Sequence, residues 1–305
     1  MIRSVADRML RHRSVERLAY RSGAYRGRGI ALLWHRIRPG GPSTHEVVRS
    51  VSTSTFASQL AALEELGEIV PLRELESPRR SARPRFALSF DDDDPGHAEH
   101  TLPLLVSRGL PATFFLSGRW RHAQGPYWWE VLEDRIRERG AAAVALDHGL
   151  SHHADAPAIA AALTGTSRAE DLARTTPRQR HATMTAEHAA ALVAAGMEIG
   201  FHTLHHPSLP TLDDGQVRSA VTDGRDALAA ELATPIVRFA YPHGHADAQV
   251  AATVGVSGYR SAWTTTKRVT CRGDDPMLRG RWDLGHRDAE AFRAALVRGL
   301  ARPRP

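Results

Sequence analysis

Phe90-Asp91-Asp92-Asp93-Asp94-Pro95-Gly96-His97 follows directly on the apolar run Phe86-Ala87-Leu88-Ser89. The run reads as a buried strand. Four consecutive carboxylates at its end repel one another, and a divalent cation is the strongest compensation for them. Pro95 and Gly96 would equally serve a solvated acidic turn. A second stretch tips the balance towards the cation. Glu198-Ile199-Gly200-Phe201-His202-Thr203-Leu204-His205-His206-Pro207 is again a short apolar strand running into a polar turn. It holds three histidines within five residues, and Pro207 disfavours a helix at His206, so a tight strand-to-loop turn is expected. Two neutral imidazoles and one carboxylate, with a position left open for water, suit Zn²⁺ or another divalent ion.

The rest of the chain limits what can be built around these stretches. At 305 residues it suits one large α/β domain or two small ones. The single cysteine, Cys271, excludes an internal disulfide framework and a thiolate-rich metal centre. The formal charge of +6 favours acidic glycans, anionic lipid surfaces or nucleic acid without choosing among them. No nucleic-acid motif is visible, so of these three a nucleic-acid partner is not expected. Residues 1–28 form a basic arm expected to carry one or two short amphipathic helices. Its apolar residues are too few for an export signal or a membrane span, so a cytoplasmic location is expected. Packing on the domain is the first use foreseen for the arm, and peripheral contact with an anionic membrane surface is the second.

From residue 29 to 301 strands alternate with helices about seven or eight times. Gly29-Ile30-Ala31-Leu32-Leu33-Trp34-His35 is a buried strand ending in a histidine. Helices are expected over 55–66, 97–108, from Tyr127 to about 139, 185–195, 214–232, 246–254 and from Asp288 to about 300. Further strands are expected at 68–72, 112–116, 236–240, 258–263 and 277–284. Residues 141–183, rich in alanine, read as a helical insertion able to border a substrate cleft, and 302–305 as a frayed tail. Tyr127-Trp128-Trp129 is foremost a core cluster, with stacking on sugar rings as the alternative. Strand–helix alternation implies a parallel sheet, open or closed into a barrel, with the candidate ligands just after strand C-termini, where such folds place their sites.

The two opening stretches together resemble the NodB-type polysaccharide deacetylases, carbohydrate esterase family four. Ser89-Phe90-Asp91-Asp92-Asp93 is similar to that family's Thr-Phe-Asp-Asp-Gly. His202-Thr203-Leu204-His205-His206 is similar to its His-Ser/Thr-x-x-His, which selects His206 over His205. The resemblance covers roughly 29 to 285, and it implies an irregular (β/α)7 barrel. It implies Asp92, His202 and His206 as ligands of one divalent ion, with Zn²⁺ the first choice, and Asp91 as general base. The implied reaction is removal of an N-acetyl group from an amino-sugar glycan or its precursor by water activated at the metal. The third motif, Arg-x-Pro-Tyr in the family, is matched by Phe239-Ala240-Tyr241-Pro242-His243-Gly244. Its main-chain N–H, here at Tyr241, is implied as an oxyanion donor. Two departures stand out. Ala240 replaces the arginine that orients the base, leaving Arg281 or Arg238 to supply that charge, and Asp93 replaces glycine. The alanine variant resembles the branch acting on exopolysaccharides such as poly-N-acetylglucosamine. In that branch the Leu-x-x-His motif lies on the first strand, and Leu32-Leu33-Trp34-His35 fits it. His35 is therefore the implied general acid, His286 its rival and His243 a weaker third.

Two other functions compete. The same donor set occurs in non-haem Fe(II) oxygenases, but their His-x-Asp/Glu spacing is absent. A catalytically impaired glycan- or nucleic-acid-binding homologue would account for the altered third motif, against the intact Asp91, Asp92, His202 and His206.

Overall fold

A computed structural model describes residues 28–76, 81, 83–122, 126–174 and 183–301. The basic arm up to residue 27 and the tail 302–305 lie outside the described residues.

The first strand, β1 (Gly29–Trp34), is buried throughout. β2 (Ile37–Arg38) and β3 (Val51–Ser52) form a small parallel pair beside the mouth. β4 (Glu68–Ile69) and β5 (Arg85–Asp91) follow, then β6 (Thr113–Leu116), β7 (Glu198–Phe201), β8 (Arg238–Ala240), β9 (Ser261–Thr264) and β10 (Arg279–Asp283). β1 pairs with β5 on one side and with β10 on the other, and the run β5-β6-β7-β8-β9-β10 is continuous. Seven parallel strands therefore close into a barrel. The short β4 joins the lower half of β5, at Arg85 and Phe86, while β6 takes the upper half, from Ser89 to Asp91.

Strand alternation separates two cores. Ile30, Leu32 and Trp34 of β1, with Phe86, Leu88 and Phe90 of β5, face the helical layer. Ala31, Ala87, Phe115, Ala240 and Trp263 come together in a separate inner cluster, which fills the barrel. Two large rings fit there because their neighbours are small. A Cβ on Gly200 would lie 2.3 Å from the Phe115 ring, so that position tolerates only glycine without a shift of the ring.

Several element ends differ from the sequence reading. The first long helix spans Thr53–Leu66 and is capped by Ser52, whose side chain accepts from Thr55 N–H, rather than by Thr55. The helix expected at 97–108 opens as a π-turn, His97–Thr101, before Leu102–Val106. The helix expected over 214–232 is two, Asp214–Thr222 and Arg225–Glu231, broken at Gly224 with φ of 85°. Thr185 and Asp288 do act as N-caps.

The insertion builds its own small core. Helices Ala141–Asp147, Ala156–Leu163 and Ser167–Arg174 pack against Trp128–Arg139. Val131, Leu132 and Ile136 meet Val144, Ile159 and Leu163 there. This unit stands over the barrel mouth, where it contributes Ala160 and Thr164 to the wall of the site.

Candidate active site

Each of the four carboxylates after β5 has its own answer to burial. Asp91 receives both Nη atoms of Arg281, at 2.6 and 2.7 Å. Asp92 faces two imidazoles, His202 Nε2 at 3.7 Å and His206 Nε2 at 3.6 Å. Asp93 accepts main-chain N–H groups of Ser117 and Arg119, both at 2.8 Å. Asp94 receives Arg38 in a bidentate pair at 2.7 and 2.6 Å. Only Asp92 is left without a hydrogen-bond donor, and its buried Oδ1 is unpartnered.

The backbone that presents these groups is unusual. Asp92, Thr203, His206 and His243 all have positive φ, at 72°, 62°, 54° and 57°. Such conformations cost about 1–3 kcal/mol each in non-glycine residues and persist where surrounding contacts hold them. The Asp92 turn is held by His97, whose buried Nε2–H donates to the Asp91 and Asp92 carbonyls at 3.0 and 3.1 Å. His206 is held by its own N–H donating to Thr203 Oγ1 at 3.0 Å. Sequence reasoning missed His97 as a brace. Its position six residues past Asp91 carried no pattern that marks such a contact.

Asp92, His202 and His206 form a group able to hold a metal ion. His202 Nδ1–H donates to Ala240 O at 2.9 Å, which leaves its Nε2 lone pair aimed at the carboxylate. The three donor atoms form a triangle with edges of 3.2, 3.6 and 3.7 Å. Ligands about 2.1 Å from a tetrahedral Zn²⁺ stand roughly 3.4 Å apart, so the triangle has the size the ion requires. The charges also suit it. Burial, then the neighbouring Asp91 carboxylate, push Asp92 well above the usual carboxylate range. Burial, then His243 and His202, hold His206 well below the ordinary histidine value. Burial also keeps His202 neutral, against the pull of Asp91. A buried carboxylate with two neutral imidazoles and no cation is what a divalent ion would complete.

Asp91 stands differently. Burial pushes its carboxyl up, but the Arg281 guanidinium, by its charge and its hydrogen bonds, outweighs burial, and the group lies below its ordinary value. Its Oδ2 is 3.8 Å from His202 Nε2, so an ionised carboxylate borders the donor triangle. Arg281 is fully buried in the barrel, its guanidinium centred 5.1 Å from the Phe115 ring. The small Ala240, also in the barrel, leaves room for it. Arg238 is excluded from this role. It sits two residues earlier on β8 and pairs with Glu76 and Glu198 instead.

A cavity of about 130 Å³ joins these groups. His35 lines it with Asp91, Asp92, His202 and His206, and so do Tyr241 and His243. His286 lies outside it, in a neighbouring cavity. Tyr241 differs from expectation. Its N–H donates to Trp263 O at 3.1 Å and its phenol to Met277 O at 2.7 Å, so it shapes the wall while its main-chain donor is taken by the sheet. Burial, then His245, bring His243 down to about 4. His205 is exposed, away from the triangle.

Of the three aromatics, Tyr127 and Trp129 are core. They stack at 4.2 Å, and Trp129 packs edge-on against His206 at 4.7 Å. Trp128 is half-buried, and it lines the cavity together with an edge of Trp129. Asp93 supports this wall from behind. The loop it fastens brings Ser117 Oγ within 3.1 Å of the Tyr127 hydroxyl and Arg119 over the Tyr127 ring. Asp93→Ala would strand two buried N–H groups, each at about 1–3 kcal/mol. A loss of about 2–5 kcal/mol in urea unfolding is expected, and a loss below about 1 kcal/mol would show the loop is held by other contacts.

A closed parallel barrel with an Asp/His/His group at its mouth and a paired carboxylate beside it defines a NodB-type hydrolase. The model of the polysaccharide deacetylase family matches residues 79–183 and 173–262, and the chain belongs to that family of carbon–nitrogen hydrolases. The Streptococcus pyogenes deacetylase PplD in complex with acetate has the same fold, with a TM-score of 0.60 at 16% identity over 90% of this chain and 99% of that one. IcaB from Ammonifex degensii gives 0.60 at 19% identity over 90% and 97%. The de-N-acetylase from Aggregatibacter actinomycetemcomitans gives 0.57 at 14% identity over 87% and 99%. None of the curated proteins compared with the chain matches it. Among the described residues no helix is long and apolar enough to cross a membrane.

Proposed function

We propose that the protein is a metal-dependent N-deacetylase of an amino-sugar polymer, of the kind found in exopolysaccharides. The observation that carries this reading is the donor triangle of Asp92, His202 and His206 beside a carboxylate kept ionised by Arg281. Asp92, His202 and His206 would hold a divalent cation, which would supply an acidified water and a polarised acetyl carbonyl. Asp91 takes up the proton of the attacking water, and Arg281 keeps it ionised and aimed. The new C–O bond forms first, at the expense of the carbonyl double bond, and the C–N bond breaks afterwards, so acetate leaves and the sugar nitrogen needs a proton. His35, on the same cavity wall, gives it.

Purified protein incubated with a partially acetylated glucosamine polymer should release acetate. Chelation should stop the release and a divalent ion should restore it. Absence of acetate under all these conditions would remove the reading. His35→Ala should depress amide hydrolysis about 10²–10⁴-fold, and hydrolysis of an activated acetyl ester far less, since that leaving group needs no proton. Equal losses on both substrates would assign His35 to positioning.

A further inference from the structure

The formal charge of +6 is concentrated at the two ends of the chain. Residues 1–27 hold seven arginines against Asp7 and Glu16, and 302–305 hold Arg302 and Arg304 with no acid. The two ends together exceed the whole net charge, so residues 28–301 are close to neutral. The fold brings both exits to one place. Arg28, just before β1, donates through Nη1 to the Leu300 carbonyl, in the last turn of the helix Ala289–Ala301. β1 enters the barrel there, with Gly29 level with Arg85 of β5 and hydrogen-bonded to Thr270. The barrel strands are parallel, and the metal cavity lies beyond their C-terminal ends. The basic ends therefore leave from the opposite base. The six residues of β1 set that base about 20 Å from the mouth.

The base has little acid to hold these ends down. Glu76 and Glu198 pair with Arg238, and Glu74 stands 3.8 Å from Arg85. Asp274 and Asp275 accept the main-chain N–H groups of Cys271 and Met277. Cations of the base add to the excess. Arg85 keeps Nε and Nη2, and Arg279 keeps Nε, without a partner among the described residues, and Arg73 and Arg272 are exposed. The counter-charge these ends require lies outside the base.

The composition of the arm selects the partner. Met1, Ile2, Val5, Met9 and Leu10 are interleaved with Arg3, Arg8, Arg11 and Arg13. At a bilayer surface apolar side chains enter the acyl boundary while guanidinium groups meet anionic headgroups. A nucleic-acid backbone would use the arginines alone.

We propose that the base of the barrel docks on an anionic lipid bilayer through the two basic ends. The metal cavity then opens away from the membrane, about 20 Å above the docked face. Docking does not depend on the reaction at the mouth.

Sedimentation with vesicles tests this on the full-length chain. It should bind vesicles of phosphatidylcholine mixed with phosphatidylglycerol, ignore pure phosphatidylcholine, and bind less as salt rises. Each arginine near an anionic surface is worth about fivefold in binding. Arg302→Gln combined with Arg304→Gln should therefore weaken binding about 25-fold, and Arg3→Gln with Arg8→Gln, Arg11→Gln and Arg13→Gln by roughly several hundred-fold. Both variants should keep the wild-type melting temperature. Equal binding to the two kinds of vesicle, or wild-type binding by both variants, overturns the docking. A lowered melting temperature with unchanged vesicle binding would assign the arm to packing on the domain, and tighter binding to an oligonucleotide than to the anionic vesicles would assign it to nucleic acid. Either result overturns the proposal. Orientation is read from Cys271, the one cysteine, beside Thr270 at the base. Energy transfer from a fluorophore on Cys271 to an acceptor lipid should exceed transfer from the same probe on His205→Cys in a Cys271→Ser chain, since residue 205 is exposed after β7 at the mouth. The reverse ranking would put the mouth on the membrane and refute the arrangement.

Discussion

His206→Ala and His202→Ala are expected to lose bound metal and turnover together. Each removes one corner of the donor triangle, leaving a buried Asp92 carboxylate with a single imidazole opposite. Loss of a mere outer-shell partner lowers metal affinity about 10–100-fold, so loss of a ligand should exceed that. Metal content after dialysis, measured by mass spectrometry beside acetate release, checks it. His205→Ala is the control, since that side chain is exposed and outside the triangle. Full occupancy in both His202→Ala and His206→Ala would refute the ligand assignment.

Asp91→Asn should separate the two properties. The amide preserves size, so metal should remain, while turnover falls about 10²–10⁴-fold for lack of a base. Turnover must be measured per folded, loaded molecule, because Arg281 is left buried without its anion and breaking such a pair costs about 3–5 kcal/mol. Near-normal turnover would sink the role. A pH dependence follows from the same pair. The folded value of Asp91 lies below that of an unfolded carboxyl. Its contribution to stability is therefore full above about pH 4 and is lost as pH falls through the lower, folded value. In Arg281→Met nothing offsets the burial of the carboxyl, so the acid limb of kcat/KM should move to higher pH. An unmoved limb would mean that Asp91 does not govern it.

The alternation of strands and helices, and the two motif stretches, made the barrel and the donor triangle legible in the sequence. Pro207 correctly ruled out a helix at His206. Other features depended mostly on contacts between segments that are not neighbours in the chain. Nothing local to Arg281 distinguishes it from Arg238. The choice is made by β10 lying beside β1 while Arg238 starts its strand at the opposite end. Asp93 could be seen as a departure from glycine, but its role depends on the loop at 117–119, which pairs with it only through the β5–β6 register. The Tyr241 N–H was assigned from the motif, and the sheet claims it through Trp263. Gly224 divides a pattern that would otherwise read as one helix.

The closing seam between β1 and β10 has a kinetic consequence. Arg281 follows Asp91 by 190 residues, and it reaches the carboxylate only when β10 docks beside β1. Contacts so far apart in sequence form slowly, because the loop entropy is lost before the contact can reward it. During synthesis an emerging chain would thus display Asp91 with its charge unanswered until the last strand arrives. Ring closure and activation of the base are one event, so a partly closed barrel is an inactive one.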